Sequence, residues 1–336
     1  MTFPTESDPM TETKKALPRG VGTGEREMTL RFLAAPTDVA FLGGTAVAGG
    51  RVLEWIDKAA YACAVGWSGG YCVTAYVGNI SFTRPINSGE LVEVLARLVY
   101  TGRSSMHIEV LVTSADPQLG LYKLATSCTV IFVAVGDDSR PVPVPQWKPV
   151  TDYDRWRGRI ARENMAVRAE VEAAMKEHTY TRTTGAQRAT LRFLAAPTDV
   201  NWGGKTHGGT VMRWIDEAAY VCAAGWSGQR SIAVYSGGIQ FYRPILIGHV
   251  VEVQAQLLHT GRSSMHISVH VRSGDPKAPD LQLTTHCLSV FVALDGDGRT
   301  TKVRSWVPQT DEDRRLDAHA QHLMKLQAPL APPYPV

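Results

Sequence analysis

The chain has 336 residues, 35 lysines and arginines against 32 aspartates and glutamates, and a formal net charge of +3. That length exceeds one ordinary domain and leaves room for two, each with its own core. The near balance of charge gives no general case for nucleic acid or membrane as a partner, and no stretch approaches the roughly 18 apolar residues of a membrane span.

In chain order, residues 1–25 lack the apolar core of a signal peptide and read as a disordered arm. A first domain, 26–150, opens with the strand-like REMTLRFLAA. Gly43-Gly44 and Gly49-Gly50 mark a turn, after which Val52, Trp55, Ile56, Ala59 and Cys63 recur at helical spacing until GWSGG stops the helix. YCVTAYVGNISF, ELVEVLARLVY, SSMHIEVLVTSA and LYKLATSCTVIFVAV follow, alternating or β-branched, with Gly, Pro, Asn and Asp turns between them. One long helix against consecutive strands predicts an α+β domain, an antiparallel sheet wrapped on a single helix, and excludes a doubly wound fold.

Thr151 to His178 is rich in helix formers and in charge of both signs, which predicts a helical linker, 151–186, docked through Ile160, Val167, Val171 and Met175. A second domain, 187–310, repeats the first. LRFLAAPTDV begins at Leu30 and again at Leu191, 161 residues on, whereas TGRSSMHI begins at Thr101 and Thr260, 159 residues on. The first copy therefore carries two extra residues before its helix, and a period this long means duplicated domains. Residues 311–336 repeat the start of the linker helix and end in a proline-dense tail. The five cysteines form no C-x-x-C pair, and Cys63 with Cys222 and Cys128 with Cys287 are repeat-equivalent within apolar elements. Buried thiols in a reducing cytoplasm fit this better than disulfides or a zinc site.

Each long helix carries one acid in the same surroundings, Asp57 in WIDKAAY and Asp216 in WIDEAAY. On a helical wheel Asp57 lies about 60° from Glu54, at the border of a polar stripe, so it faces either solvent or a second domain packed against the first. The loops before the helices disagree. The second reads PTDVNWGGKTHGG, with Asn201 and His207; the first reads PTDVAFLGGTAVAGG, with Ala40 opposite Asn201 and Ala48 opposite His207. A lone loop His or Asn is structural more often than catalytic. Their joint loss from one copy is informative, because a structural need would apply to both. Gly208 and Gly209 leave backbone amides at a helix start for developing negative charge. TGRSSMHI places Arg103, Ser104 and Ser105, and again Arg262, Ser263 and Ser264, where they suit an anionic phosphate, though turn structure with an edge salt bridge explains them equally. Arg84 and Arg243, in F-x-R-P, carry less signal. There is no nucleophile elbow, Walker loop, Rossmann fingerprint or H-E-x-x-H, so chemistry falls to Asp, Asn, His and backbone amides.

The helix with its I-D-x-A-A segment, the P-x-D-x-N and H-G-G turns before it, and the F-x-R-P and G-R-S-S that follow resemble the hotdog-fold acyl-CoA thioesterases, and the two copies resemble their double-hotdog group. The resemblance covers about Glu25 to Pro149 and Gln187 to Pro308. It implies hydrolysis of fatty acyl-CoA between two hotdogs, with Asp57 of one copy as base or nucleophile facing Asn201, His207 and the Gly208-Gly209 amides of the other. The reciprocal site, Asp216 with Ala40, Ala48 and Gly49-Gly50, is then inactive or only binds. Arg103, Arg262 and their serines would hold coenzyme A phosphates, while Trp55, Tyr61 and Trp202 would line an acyl tunnel. No cofactor or metal is implied beyond coenzyme A as part of the substrate, and no nucleic acid or membrane partner. A cytoplasmic trimer of double hotdogs is the implied assembly. The competing reading is a non-catalytic acyl-CoA binding or sensing protein, against which the joint retention of Asp57 and Asn201 argues. A hotdog hydratase is a weaker rival, because no D-x-N-P-x-H segment is present.

Overall fold

The computed structural model describes residues 26–40, 44–178, 180–181, 185–278 and 280–328. The expected arm at 1–25 and the proline-dense end of the tail lie outside the described residues. The first copy contributes β1 (Glu27–Leu33), α1 (Gly49–Ser68), β2 (Cys72–Val77), β3 (Ile80–Ser81), β4 (Leu91–Thr101), β5 (Ser105–Ala115) and β6 (Lys123–Ala134). Helix α2 (Asp152–Glu177) connects it to β7 (Arg188–Leu194), α3 (Gly208–Ser227), β8 (Arg230–Phe241), β9 (Val250–Thr260), β10 (Ser264–Gly274) and β11 (Gln282–Leu294), and α4 (Asp311–Gln327) follows. Gly69 and Gly228, at φ 67° and 66°, end α1 and α3 in the left-handed conformation that a glycine adopts without steric cost.

The strands of both copies make one antiparallel sheet in the order β1-β4-β5-β6-β2-β8-β11-β10-β9-β7, with β3 paired to β8 beside this path. The two halves join edge to edge where Tyr76 meets Gln240 and Val77 meets Ile239. Two separate sheets, one per copy, were the expectation; joining them removes a pair of exposed strand edges. YCVTAYVGNISF is not one strand. Gly78 turns its N–H to Thr129 O at 2.8 Å, which splits the segment into β2 and β3, while the equivalent β8 runs on for 12 residues.

The buried faces of α1 and α3 fill the concave side of the sheet. Leu53, Ile56, Ala60, Met212, Ile215 and Ala219 join Val94, Met106, Ile108, Val253, Met265 and Ile267 in one apolar core. Helices α2 and α4 lie on the outer side, where Val171, Ala174, Met175, Leu316, Ala320 and Leu323 pack with Leu258 and Leu288. Val167, Val171 and Met175 dock as expected. Ile160 stays half-exposed, and the first half of α2 is held by polar groups instead: Asp154 caps the helix and pairs with Arg26 at 3.0 Å, and buried Arg157 pairs with buried Glu109. Among the described residues no helix is long and apolar enough to cross a membrane.

Candidate active site

Helices α1 and α3 cross so closely that only glycine fits at the start of each. A Cβ on Gly209 would stand 2.8 Å from Glu54 Cα and 3.1 Å from Asp57 Cβ, and one on Gly50 would stand 2.9 Å from Arg213 Cα. The crossing presses the amino end of each helix against the acid of the other. Asp57 is 0% exposed, so the solvent-facing alternative for this residue is excluded.

Burying a carboxylate this deeply is tolerable only with hydrogen-bond partners, and Asp57 has three. Its Oδ2 accepts from Gly209 N at 2.7 Å and lies 2.5 Å from His207 Nδ1; its Oδ1 accepts from Thr74 Oγ1 at 2.8 Å. His207 is the N-cap residue of α3. Burial works against charge on its ring, but the hydrogen bond and negative charge of Asp57 outweigh it, and the imidazole pKa is raised.

Asn201 stands at the start of the same loop. Its Oδ1 accepts from Gly203 N at 2.9 Å, Lys205 N at 3.1 Å and Tyr71 Oη at 3.3 Å. With Oδ1 so engaged, the side-chain NH₂ remains as a donor for whatever enters the cavity. That cavity is about 360 Å³ and is lined by Asp57, Thr74, Asn201, His207 and Gly208. Among the described residues the Gly208 amide has no partner. Gly209, expected to face a carbonyl oxygen, instead spends its N–H on Asp57. On the other side of His207 an open groove is lined by Leu30, Tyr61, Val65 and Trp202, the last two aromatic rings stacked at 5.1 Å. Trp55 is not part of it: the ring is buried against Phe32 at 4.6 Å.

The six residues of the two GRSS turns are not brought together. Ser105 lies opposite Val133, which lines the Asp57 cavity, but Arg103, Ser104 and Ser105 themselves do not line it. Ser264 lies opposite Val292 in the other half, and Arg262, Ser263 and Ser264 line no part of the Asp57 cavity. Both turns serve as backbone anchors: Arg103 O accepts from Val144 N at 2.9 Å and Arg262 O from Val303 N at 3.1 Å. Lys205, Arg243 and Thr74 were not singled out as site residues, yet all three line the cavity. For Thr74 a signal existed, since the 159-residue offset sets it opposite Ala233.

The reciprocal site has the same backbone, but alanines stand where Asn201, His207 and Thr74 would. Asp216 Oδ2 accepts from Gly50 N at 2.8 Å, and its cavity of about 140 Å³ is lined by Ala40, Ala46, Ala48 and Ala233, with Arg84, Glu217 and Tyr220 further along the wall. Burial, only partly offset by the Gly50 amide and reinforced by the charge of Glu217, pushes the Asp216 carboxyl up to about 6.

A protein-family model described as the thioesterase superfamily matches the chain twice, at residues 44–121 and 203–279, each match spanning one helix and the strands after it as far as β5 or β10. The chain belongs to the thioesterase superfamily. It is similar to the cytosolic acyl coenzyme A thioester hydrolase of Homo sapiens, at 26% identity over 313 residues covering 87% of this chain and 81% of that protein. It is also similar to protein VdlD of Helicobacter pylori, at 29% identity over 160 residues, which cover 90% of VdlD but 47% of this chain. A solved structure from Lactobacillus plantarum, described as a candidate oleoyl thioesterase, superposes with a TM-score of 0.56 over 82% of this chain and 100% of that one. At 11% identity that likeness speaks for the tandem fold alone.

Proposed function

We propose that this superfamily member hydrolyses acyl-CoA to a fatty acid and coenzyme A in the Asp57 cavity, with Asp57 and His207 handling the proton and Asn201 and the Gly208 amide polarising the thioester carbonyl. One observation carries the reading: a fully buried acid of the first copy is hydrogen-bonded by a histidine and a helix-start amide of the second, at the wall of a cavity of about 360 Å³.

The steps follow from where charge develops. Water adds through oxygen to the carbonyl carbon and yields a proton to the Asp57–His207 pair. The carbonyl oxygen becomes negative and is met by the Asn201 NH₂ and the Gly208 N–H, at the positive end of α3. The carbon–sulfur bond then breaks, and the pair returns the proton to the leaving thiolate. A raised imidazole pKa suits that return, because the ring holds its proton until the thiolate needs it. The Tyr61 and Trp202 groove would take the acyl chain.

Asp57 as a nucleophile is disfavoured by its three donors, which leave only about one of four acceptor directions open. Single turnover in ¹⁸O water tests it: direct attack puts label in the fatty acid and none in the Asp57 peptide. Label in Asp57 would mean a transient anhydride. Failure to release thiol from acyl-CoA of any chain length would leave the binding-protein reading. A cytoplasmic setting agrees with five free, buried cysteines, and assembly as a trimer of double hotdogs is open to sedimentation analysis.

A further inference from the structure

The F-x-R-P arginine of each copy sits on the wall of the cavity formed with the opposite copy, Arg84 beside Asp216 and Arg243 beside Asp57. Arg84 is occupied. Its Nη2 donates to Ser114 O at 3.1 Å and its Nη1 and Nη2 reach the Glu90 carboxylate at 3.5 and 3.4 Å, with Glu90 also held by Asn87 at 3.1 Å. The second copy has His249 where Glu90 would stand and Leu246 where Asn87 would stand. Arg243 accordingly has no hydrogen-bond or ion-pair partner among the described residues, and its side chain is exposed at the cavity mouth.

A second cation stands on the same wall. Lys205, opposite Ala46 of the first copy, lines the Asp57 cavity with its Nζ 3.3 Å from Ser139 Oγ. Ser139 has φ 60° and is the one non-glycine residue with positive φ among the described residues; its repeat equivalent is Gly298 at φ 77°. A serine is thus kept in a conformation that costs energy, at the place where its hydroxyl meets Lys205. The catalytic cavity keeps a positive mouth and the reciprocal cavity neutralises its own.

We propose that Arg243, with Lys205 beside it, anchors the phosphates of coenzyme A at the mouth of the Asp57 cavity. This rests on the acyl-CoA reading above. An unpaired guanidinium offers a fork matched to phosphate oxygens, and a neighbouring ammonium adds a point charge. The main chain of the two GRSS turns anchors neighbouring segments, and none of their six residues lines this cavity.

The test compares three thioesters of one acyl group: coenzyme A, dephospho-coenzyme A, and pantetheine, which has no phosphate. Arg243→Ala is expected to raise KM for acyl-CoA about tenfold with kcat kept, and Lys205→Ala to raise it less. His249→Glu recreates the arrangement that occupies Arg84 and should raise KM although Arg243 is intact. KM for the pantetheine thioester should not move in any variant, which also controls for folding. A loss that persists with the dephospho thioester assigns the diphosphate; a loss that vanishes assigns the 3′-phosphate. An unchanged KM for acyl-CoA in Arg243→Ala, or an equal rise with pantetheine, overturns the proposal. Calorimetry with free coenzyme A and pantetheine makes the same distinction without turnover, so failure of the hydrolase reading is told apart from failure of the anchor.

Discussion

Asp57 and Asp216 occupy equivalent turns of helices with nearly the same sequence, yet they are chemically different acids. Asp57 is held by a histidine, a threonine and an amide; Asp216 is held by an amide and walled by alanines. The backbone contribution, a glycine N–H at a helix start, is the same in both. What separates them is three side chains around the acid: Asn201 and His207 of the facing copy and Thr74 of its own, against Ala40, Ala48 and Ala233. The scaffold is the same in both copies, and the polar side chains against the acid are present in only one of them.

Replacing each acid by its amide puts this comparison to its most severe test. Asp57→Asn should lower kcat roughly a thousandfold, the scale of a lost acid–base group, while Asp216→Asn should leave thiol release near the wild-type rate. The reverse result would mean that the working site is the alanine-lined one. His207→Ala should cost about a hundredfold in kcat, because Asp57 keeps two of its three partners. Any larger loss than that of Asp57→Asn would make the histidine, not the aspartate, the principal base.

The two acids also differ in what they do to stability. The Asp216 carboxyl, up at about 6 in the folded chain against an ordinary value near 4 when unfolded, holds its proton to higher pH in the native state. Its burden is therefore absent below the unfolded value, grows as pH rises, and is complete above about 6. Asp216→Asn should stabilise the protein by on the order of 1–3 kcal/mol at pH 8, with the gain fading towards pH 4, as thermal melts across that range would show. A gain of equal size at pH 4 would point to a packing effect rather than ionisation. The smallest effect belongs to the groove. Trp202, 79% exposed and stacked on Tyr61, should on change to Ala lower kcat/KM a few-fold for long acyl chains and leave short ones unaffected. A uniform loss across chain lengths would remove it from the acyl path.

Much of this is legible in the sequence. The duplicated helix, the two-residue offset and the lopsided loops pointed to Asp57, Asn201 and His207, and helical periodicity found α1, α3 and most of α2. The GRSS turns read equally as phosphate ligands and as turn structure, because arginine and serine at a turn look alike in either role; the structure adds that their main chain anchors Val144 and Val303. Trp55 misled because an apolar helix residue is equally at home in a core and in a tunnel.

The sequence by itself determined the duplication, the fold class, and which copy kept its polar loop, since these are written in local spacing and in the comparison of one copy with the other. Tertiary structure alone decided that the two sheets join, that Gly209 serves Asp57 rather than a carbonyl, and that Asp57 is buried at a cavity wall with His207 against it. Each of these depends on two helices crossing at glycine contact over 150 residues of intervening chain. No local pattern encodes that approach: it is set by how the whole sheet packs on both helices at once.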